Sequence, residues 1–221
     1  MIQGKISNRL SRFLFKNWSE GSLSEQRTRQ ERLTRFARFP KNVHFLPFLI
    51  DEIPSEWIEA DNSKSGVILY LHGGAYSLGS INVHREFLFR LALATKIKIL
   101  AINFKLAPEY PFPAALEDTL SAYRFLLNRG ISSTQIIIAG DSAGGGLALA
   151  ALISIRDSDQ QLPAGAFRIS PWVDLTLTGN SIKNNAKLDP ILSSEILGVL
   201  QDTMLVIEKP TICLFHHYSQ N

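Results

Sequence analysis

The stretch from Gly140 to Gly145 reads Gly-Asp-Ser-Ala-Gly-Gly and contains the pattern Gly-x-Ser-x-Gly. It follows the apolar run 136–139 and leads into an Ala/Leu-rich helix predicted for 146–155, which is the setting of a nucleophile elbow. In so tight a turn, side chains at the two outer glycines would collide with the neighbouring strand and helix, and Ser142 would be strained. The helix N-terminus favours negative charge on a bound acyl oxygen. We predict that Ser142 is a catalytic nucleophile; the alternative is a glycine-rich turn that only packs a helix against a sheet.

A second loop, His72-Gly-Gly-Ala, follows the apolar run 67–71, which is typical of a strand buried on both faces. We expect this loop at the same sheet edge as Ser142. Hydrolases with a nucleophile elbow use such a loop to offer backbone N–H groups to the oxyanion of the tetrahedral intermediate. Glycine after a strand is often a simple turn, but the two motifs together predict an oxyanion hole. Its predicted donors are the amides of Gly73, Gly74, Ala75 and Ala143.

The five histidines of the chain are the candidates for a base beside the serine. In this type of hydrolase the base follows the nucleophile in chain order, so His72 is expected to hold the glycine loop by hydrogen bonding. His44 and His84 show no partner pattern and are interpreted as structural or surface residues. His216 and His217 lie in a tail that lacks the motif context of a catalytic base.

Short apolar runs alternate with helical periodicity from residue 43 onward. This alternation predicts an α/β fold, with a mainly parallel sheet and helices on both faces. The predicted strands are 67–71, 97–104, 136–139 and 164–169, and the predicted helices include 87–94, 113–127 and 146–155.

Positive charge is concentrated near the N-terminus, where residues 1–41 carry a net +7 and the remainder a net −4. Basic and apolar residues alternate there, which predicts amphipathic helices packed on the main domain. A surface that contacts anionic lipid is the alternative. The apolar faces are formed by Ile6, Leu10, Phe13 and Leu14, and by Leu33, Phe36 and Ala37.

The composition excludes several classes of protein. Apolar residues make up 45% of the 221 residues, which excludes global disorder. The net charge of +3 and the lack of a helix-turn-helix signal argue against nucleic-acid binding. A single cysteine excludes an intramolecular disulfide, and no apolar run approaches the ~18 residues of a membrane helix. We expect a cytoplasmic protein without cofactor, metal or stable membrane insertion; its oligomeric state is not indicated.

Further motifs accompany the two glycine loops. Residues 106–118 read Leu-Ala-Pro-Glu-Tyr-Pro-Phe-Pro-Ala-Ala-Leu-Glu-Asp, and residues 170–175 read Ser-Pro-Trp-Val-Asp-Leu, followed by Asp189-Pro190. With the loops at 70–76 and 140–145, these stretches resemble the hormone-sensitive-lipase-type family of α/β-hydrolases, which includes bacterial esterases and acetyl esterases.

The resemblance implies an α/β-hydrolase core over residues 43–202 and a basic helical cap segment over residues 1–42. It also implies a serine carboxylic ester hydrolase that acts on small-molecule esters. The family pattern ends near Leu200, before the positions of the family's catalytic acid and histidine, and Asp174 and Asp189 belong to its structural motifs.

Residues 203–221 form an anomalous tail. Back-translated and read in a shifted frame, this segment can give a Tyr-x-Gly stretch that leads to Pro-x-x-Ser-Pro-Leu, as in the family's continuation. We therefore expect a C-terminally truncated member with an out-of-frame tail and missing C-terminal strands. Without the triad partners its turnover is expected near background, since loss of a triad histidine costs roughly 10⁶ in kcat. The alternative is a catalytically dead remnant or a non-catalytic hydrolase-like binding protein.

Overall fold

The computed structural model describes residues 21–35, 37–185, 188–189, 192 and 194–205. Its strands, in chain order, are β1 (Val43–Ile50), β2 (Ile53–Ala60), β3 (Lys64–Leu71), β4 (Ile97–Ile102), β5 (Ile136–Asp141) and β6 (Gly165–Ile169). Its α-helices are α1 (Leu23–Thr34), α2 (Ile81–Thr95), α3 (Ala114–Asn128), α4 (Ser142–Asp157), α5 (Asn180–Asn185) and α6 (Ser194–Leu205).

The strands form one sheet in the order β1-β2-β4-β3-β5-β6. The strands β4, β3, β5 and β6 are parallel, so the mainly parallel sheet predicted from the sequence is confirmed. The antiparallel hairpin of β1 and β2, which pairs with β4, was not predicted. Pro47 argues against a strand at this point of the sequence, but β1 lies at the sheet edge, where a proline is tolerated.

Helices cover both faces of the sheet. Leu69 and Leu71 of β3 pack in one buried cluster with Leu116 of α3 and with residues of α4. Their neighbours on the same strand point to the other face, where Tyr70 packs in a second cluster with Leu88 of α2. Because β3 is buried on both faces, its sequence is a continuous apolar run rather than an alternating one.

The register of β3 and β5 brings the two glycine loops together. Leu71 pairs with Gly140, so both strands end at the same level of the same edge. The first turn of α4 then passes so close to β3 that a Cβ at Gly144 would overlap the Leu71 carbonyl oxygen. A Cβ at Gly140 would likewise meet the backbone of Gly144 at 2.5 Å. The collisions predicted for these two glycines are confirmed.

The helix α1 differs from the amphipathic helix expected near the N-terminus. It begins after Ser22, whose hydroxyl forms a capping box with Glu25, and none of its twelve residues is buried. Leu33 is 74% exposed, Ala37 is also exposed and the helix ends at Thr34, so these two residues do not form the predicted buried apolar face. The third residue of that face, Phe36, lies outside the described residues. Polar contacts hold α1 against the domain instead. The other predicted face, of Ile6, Leu10, Phe13 and Leu14, lies outside the described residues.

The helix α6 continues without a break across residue 203, where the sequence places the start of the tail. Residues 206–221, with His216 and His217, lie outside the described part of the chain, so the tail boundary stays a prediction. None of the described helices has the length and the apolar character that crossing a bilayer requires.

The close packing of α4 on β3 predicts an asymmetric response to alanine. Gly144→Ala places a methyl group against backbone that cannot rotate away, and we expect the free energy of unfolding to fall by about 2 kcal/mol or more. Gly198→Ala in α6 meets nothing within 4 Å and is expected to leave stability unchanged or slightly raised. Urea denaturation of both variants checks this, and equal midpoints would contradict the packing.

Candidate active site

Ser142 occupies the sharp turn between β5 and α4. Its φ of +50° lies in the left-handed region, so the strained conformation predicted for it is confirmed. The helix α4 begins at this residue rather than at the predicted residue 146. The Ser142 carbonyl accepts a 2.9 Å hydrogen bond from the amide of Trp172. The hydroxyl makes no hydrogen bond to any described residue. Ser142 lines a cavity of about 680 Å³ at the carboxyl edge of the sheet.

Gly74 and Ala75 line the same cavity as Ser142. Gly74 has a φ of +130°, and a Cβ there would overlap the Leu78 carbonyl oxygen, so this position requires glycine. The amides of Gly74 and Ala75 have no hydrogen-bond partner among the described residues, and neither has the amide of Ala143 in the first turn of α4. First-turn amides of a helix lack intrahelical partners and are available to a ligand.

Asp141 links the two loops. Its Oδ1 accepts 2.9 Å hydrogen bonds from the Gly73 amide and from the Tyr70 hydroxyl. The Gly73 amide is therefore occupied, and the four expected oxyanion donors are reduced to three. Burial alone would raise the pKa of Asp141, but hydrogen bonding and charge from His84, together with the bonds from Tyr70 and Gly73, hold that pKa below its ordinary value.

His72 holds the glycine loop, as the sequence predicts. Its Nδ1 donates to the Gly73 carbonyl at 2.9 Å, and its ring stacks on Phe104 with 4.3 Å between centroids. Complete burial, reinforced by the nearby charge of His84, lowers the pKa of His72 from 6.5 to about 4. His72 is therefore a neutral donor at pH 7.

His84 makes two structural contacts, which agrees with its interpretation as a structural or surface residue, although its partners were not predicted. Its Nε2 lies 3.4 Å from Asp141 Oδ2 and its Nδ1 lies 3.1 Å from the Ser80 carbonyl oxygen, at the wall of the cavity. The available signal was its position in the first turn of the helix that follows the His72 loop. His44, by contrast, pairs with Asp61 on the surface, as expected.

The cavity has a mixed polar and apolar lining. Gln30, His84 and Asp141 are among its polar residues, and α5, α6 and the segment around Trp172 supply most of its apolar ones. The Trp172 indole is fixed by a 3.1 Å hydrogen bond from Nε1 to the Asp174 carbonyl, a wall position that sequence reasoning missed. The apolar side chains are those of Val83, Pro171, Trp172, Val173, Ile182, Leu192, Leu197 and Leu200.

Acidic residues near the cavity serve local structure. The Asp174 carboxylate accepts hydrogen bonds from Thr176 and Thr178, and Asp189 accepts one from the Leu192 amide. Both contacts agree with the structural roles expected for these two residues. Within the described ranges, no group of three or more His, Cys, Asp or Glu side chains is placed to hold a metal ion.

The buried neutral His72 predicts a pH dependence of stability. Between pH 6.5 and pH 4 the unfolded chain binds a proton on this ring and the folded chain does not, so the free energy of unfolding decreases as the pH falls through this window. The decrease is about 3 kcal/mol at most. His72→Asn, which keeps a donor near the Gly73 carbonyl, should lose this decrease in denaturant titrations at several pH values. The exposed His44→Asn variant should keep it, and identical pH profiles for all three proteins would contradict the assignment.

The sequence model of the alpha/beta hydrolase fold family matches residues 68–215. Among curated proteins, an esterase of Acinetobacter venetianus is 39% identical over 161 residues, which is 72% of this chain and 53% of that protein. An acetyl-hydrolase of Streptomyces hygroscopicus is 46% identical over 127 residues, 58% of this chain and 42% of that protein. The chain thus spans about half the length of the curated relatives it matches.

Solved structures give the same result. A crystal structure of an esterase from the bacterial hormone-sensitive lipase family has a TM-score of 0.89 and 33% identity, and the match covers 97% of this chain and 72% of that chain. The esterase EstE5, soaked with p-nitrophenyl butyrate, has a TM-score of 0.81 and 36% identity, with 90% and 68% covered. The chain therefore belongs to the alpha/beta hydrolase fold family, and its resemblance to the hormone-sensitive-lipase-type esterases is confirmed.

Proposed function

We propose that this chain carries the nucleophile and the oxyanion hole of a carboxylic ester hydrolase. The observation that supports this most strongly is the common cavity of Ser142 and the amides of Gly74 and Ala75, which have no partner among the described residues. A strained serine beside unpaired amides is costly to maintain in a turn that serves packing alone. The established family membership and the relatives named as esterases and acetyl-hydrolases agree with this function.

The proposed reaction begins with attack of the Ser142 hydroxyl on the acyl carbon of an ester. The carbonyl oxygen becomes an oxyanion, which the amides of Gly74, Ala75 and Ala143 stabilise. Each donor of this kind is worth about 10²–10³ in rate. The N-terminus of α4 adds favourable electrostatics for the negative charge. Collapse of the intermediate breaks the bond to the alkoxy oxygen, which takes the proton given up by the Ser142 hydroxyl and leaves as the alcohol. The acyl group stays on Ser142 until water hydrolyses it, which releases the carboxylic acid and restores the hydroxyl.

The proposed substrates are small esters with a short apolar acyl group. The cavity of about 680 Å³ accommodates a small molecule rather than a polymer. The apolar residues of its lining, from Trp172 and α6, suit an alkyl chain, and Gln30 and His84 add polar groups to the same lining. One related esterase structure was soaked with p-nitrophenyl butyrate, an ester of this size.

The base that activates Ser142 is not assigned by the described residues. His72 donates to the Gly73 carbonyl, and His84 faces Asp141 and the Ser80 carbonyl. Turnover by the 221-residue chain is therefore expected near background, because the hydroxyl has no adjacent base among the described residues. Free imidazole supplied from solution should replace part of this missing function.

The test is covalent modification of Ser142 by a fluorophosphonate, with and without free imidazole. We expect imidazole to accelerate modification by at least about tenfold, since base catalysis typically contributes ~10²–10⁴. Peptide mass spectrometry should locate the adduct on residue 142, and Ser142→Ala should remain unmodified. The surface variant Ser158→Ala is the matched control and should react like the unaltered chain.

Two results would contradict the proposal. One is modification that persists in Ser142→Ala, which would place the reactive group elsewhere. The other is a folded chain that binds p-nitrophenyl butyrate reversibly but is never modified at Ser142, even with imidazole. That second result would favour the non-catalytic binding protein considered in the sequence analysis.

A further inference from the structure

The loop that carries the proposed oxyanion donors has an unfavourable backbone. This oxyanion loop, residues 73–80, includes Gly74, Ala75, Tyr76 and Gly79 with φ values between +53° and +130°. Two of these four residues are not glycine and sit in the left-handed region that L side chains rarely adopt. Such conformations persist where surrounding structure over-determines them. The conformation of the oxyanion loop therefore depends on contacts with neighbouring elements.

The helix α1 supplies contacts on the outer side of this loop. The Arg27 Nε donates to the Ser77 carbonyl at 2.8 Å, and one terminal nitrogen donates to the Ala107 carbonyl at 2.7 Å. The same guanidinium makes two hydrogen bonds, of 2.8 and 2.9 Å, to the Glu109 carboxylate. Ser77 is fully buried, so its carbonyl has little access to water as an alternative partner.

Two further residues of α1 extend these contacts along the oxyanion loop. The Gln30 side-chain oxygen accepts a 3.1 Å hydrogen bond from the Gly79 amide. The Glu31 carboxylate accepts from the Ser80 hydroxyl and from the Asn82 side chain. Positions i, i+3 and i+4 of a helix share one face, so Arg27, Gln30 and Glu31 reach the loop together.

We propose that Arg27 is a positioning residue, which with Gln30 and Glu31 forms a clamp (the α1 clamp) that fixes the oxyanion loop relative to Ser142. The inference rests on the proposed function, because the clamp would act by keeping the Gly74 and Ala75 amides directed at the oxyanion. The inner side of the loop is held by Asp141 through Gly73. Together with the bond from the Ala107 amide to the Tyr76 carbonyl, these attachments restrict the backbone that carries the Gly74 and Ala75 amides.

The planar guanidinium explains why an arginine occupies this position. Four hydrogen bonds leave Arg27 to three residues on two separate segments, 77 and 107–109. The ammonium of a lysine has three donors and lacks the planar geometry of a guanidinium. Arg27→Lys can therefore keep some of these hydrogen bonds but cannot bridge both segments in the same way. The clamp also assigns a role to part of the proposed cap segment 1–42, namely to support the oxyanion hole.

The first test compares Arg27→Ala and Arg27→Lys with Arg32→Ala, a change at an exposed arginine of the same helix. We measure the maximal rate and the half-saturating concentration of fluorophosphonate modification at Ser142, with imidazole present. Arg27→Ala should lower the maximal rate about tenfold or more, since small misplacements of reacting groups are costly. The half-saturating concentration should change by less than about twofold, because the apolar wall is not touched. Arg27→Lys should recover part of the rate, and Arg32→Ala should match the unaltered chain.

The second test does not depend on reactivity. Hydrogen exchange of the Gly79 amide should accelerate in Arg27→Ala and stay unchanged in Arg32→Ala, while amides of β5 remain protected in both. Glu109→Gln removes the charge that Arg27 pairs with and leaves no cavity, since the Glu109 side chain is 53% exposed. This variant replaces Arg27→Ala if Arg27→Ala does not fold. If the unaltered chain is never modified at Ser142, the proposed function fails and this exchange measurement alone decides on the clamp. A Gly79 amide that stays protected, or an Arg27 effect confined to the half-saturating concentration, would overturn the proposal.

Discussion

The approach of α4 to the end of β3 is the constraint on which the site depends. The first turn of the helix contacts the carbonyl oxygens of Leu71 and His72 so closely that position 144 has no room for a Cβ. Because Leu71 also pairs with Gly140, the strand that leads into Ser142 and the strand that leads into Gly74 end side by side. Backbone packing therefore places the two strand ends, and the loops that follow them, side by side.

Side chains then determine the orientation of the loops that this packing brings together. Asp141 precedes the serine and binds Gly73, so one carboxylate joins the elbow to the neighbouring loop. His72 remains neutral because it is buried, and its ring donates a hydrogen bond to the Gly73 carbonyl. Arg27 contacts the same loop from outside. Strain at Ser142, Ala75 and Tyr76 is thus balanced by hydrogen bonds that converge on a short stretch of backbone.

Motifs with strict backbone requirements could be predicted from the sequence. The glycines at 140 and 144 predict that the helix after Ser142 lies close to the neighbouring strands. The continuous apolar run 67–71 predicts a strand covered on both faces. The turn at Ser142 and the mainly parallel sheet could therefore be predicted from residue types alone. Contacts between distant side chains could not be predicted. The position of His84 in the first turn of α2 does not by itself identify Asp141 as its partner. The polar attachment of α1 likewise contradicts the apolar face predicted to include Leu33. The sequence predicts the Gly73 amide as an oxyanion donor, but this amide is already bonded to Asp141. A contact of this kind, between residues 68 positions apart, is visible only in the structure.

The central claim is that the Ser142 hydroxyl and the amides of Gly74, Ala75 and Ala143 face one point in the cavity. A crystal structure of the chain with a phosphonate on Ser142 tests this directly, because the phosphonyl oxygen stands in for the oxyanion. The account predicts this oxygen within about 3 Å of those amide nitrogens, while the Gly73 amide stays bound to Asp141. An adduct oxygen directed to solvent, or to the opposite wall of the cavity, would contradict it.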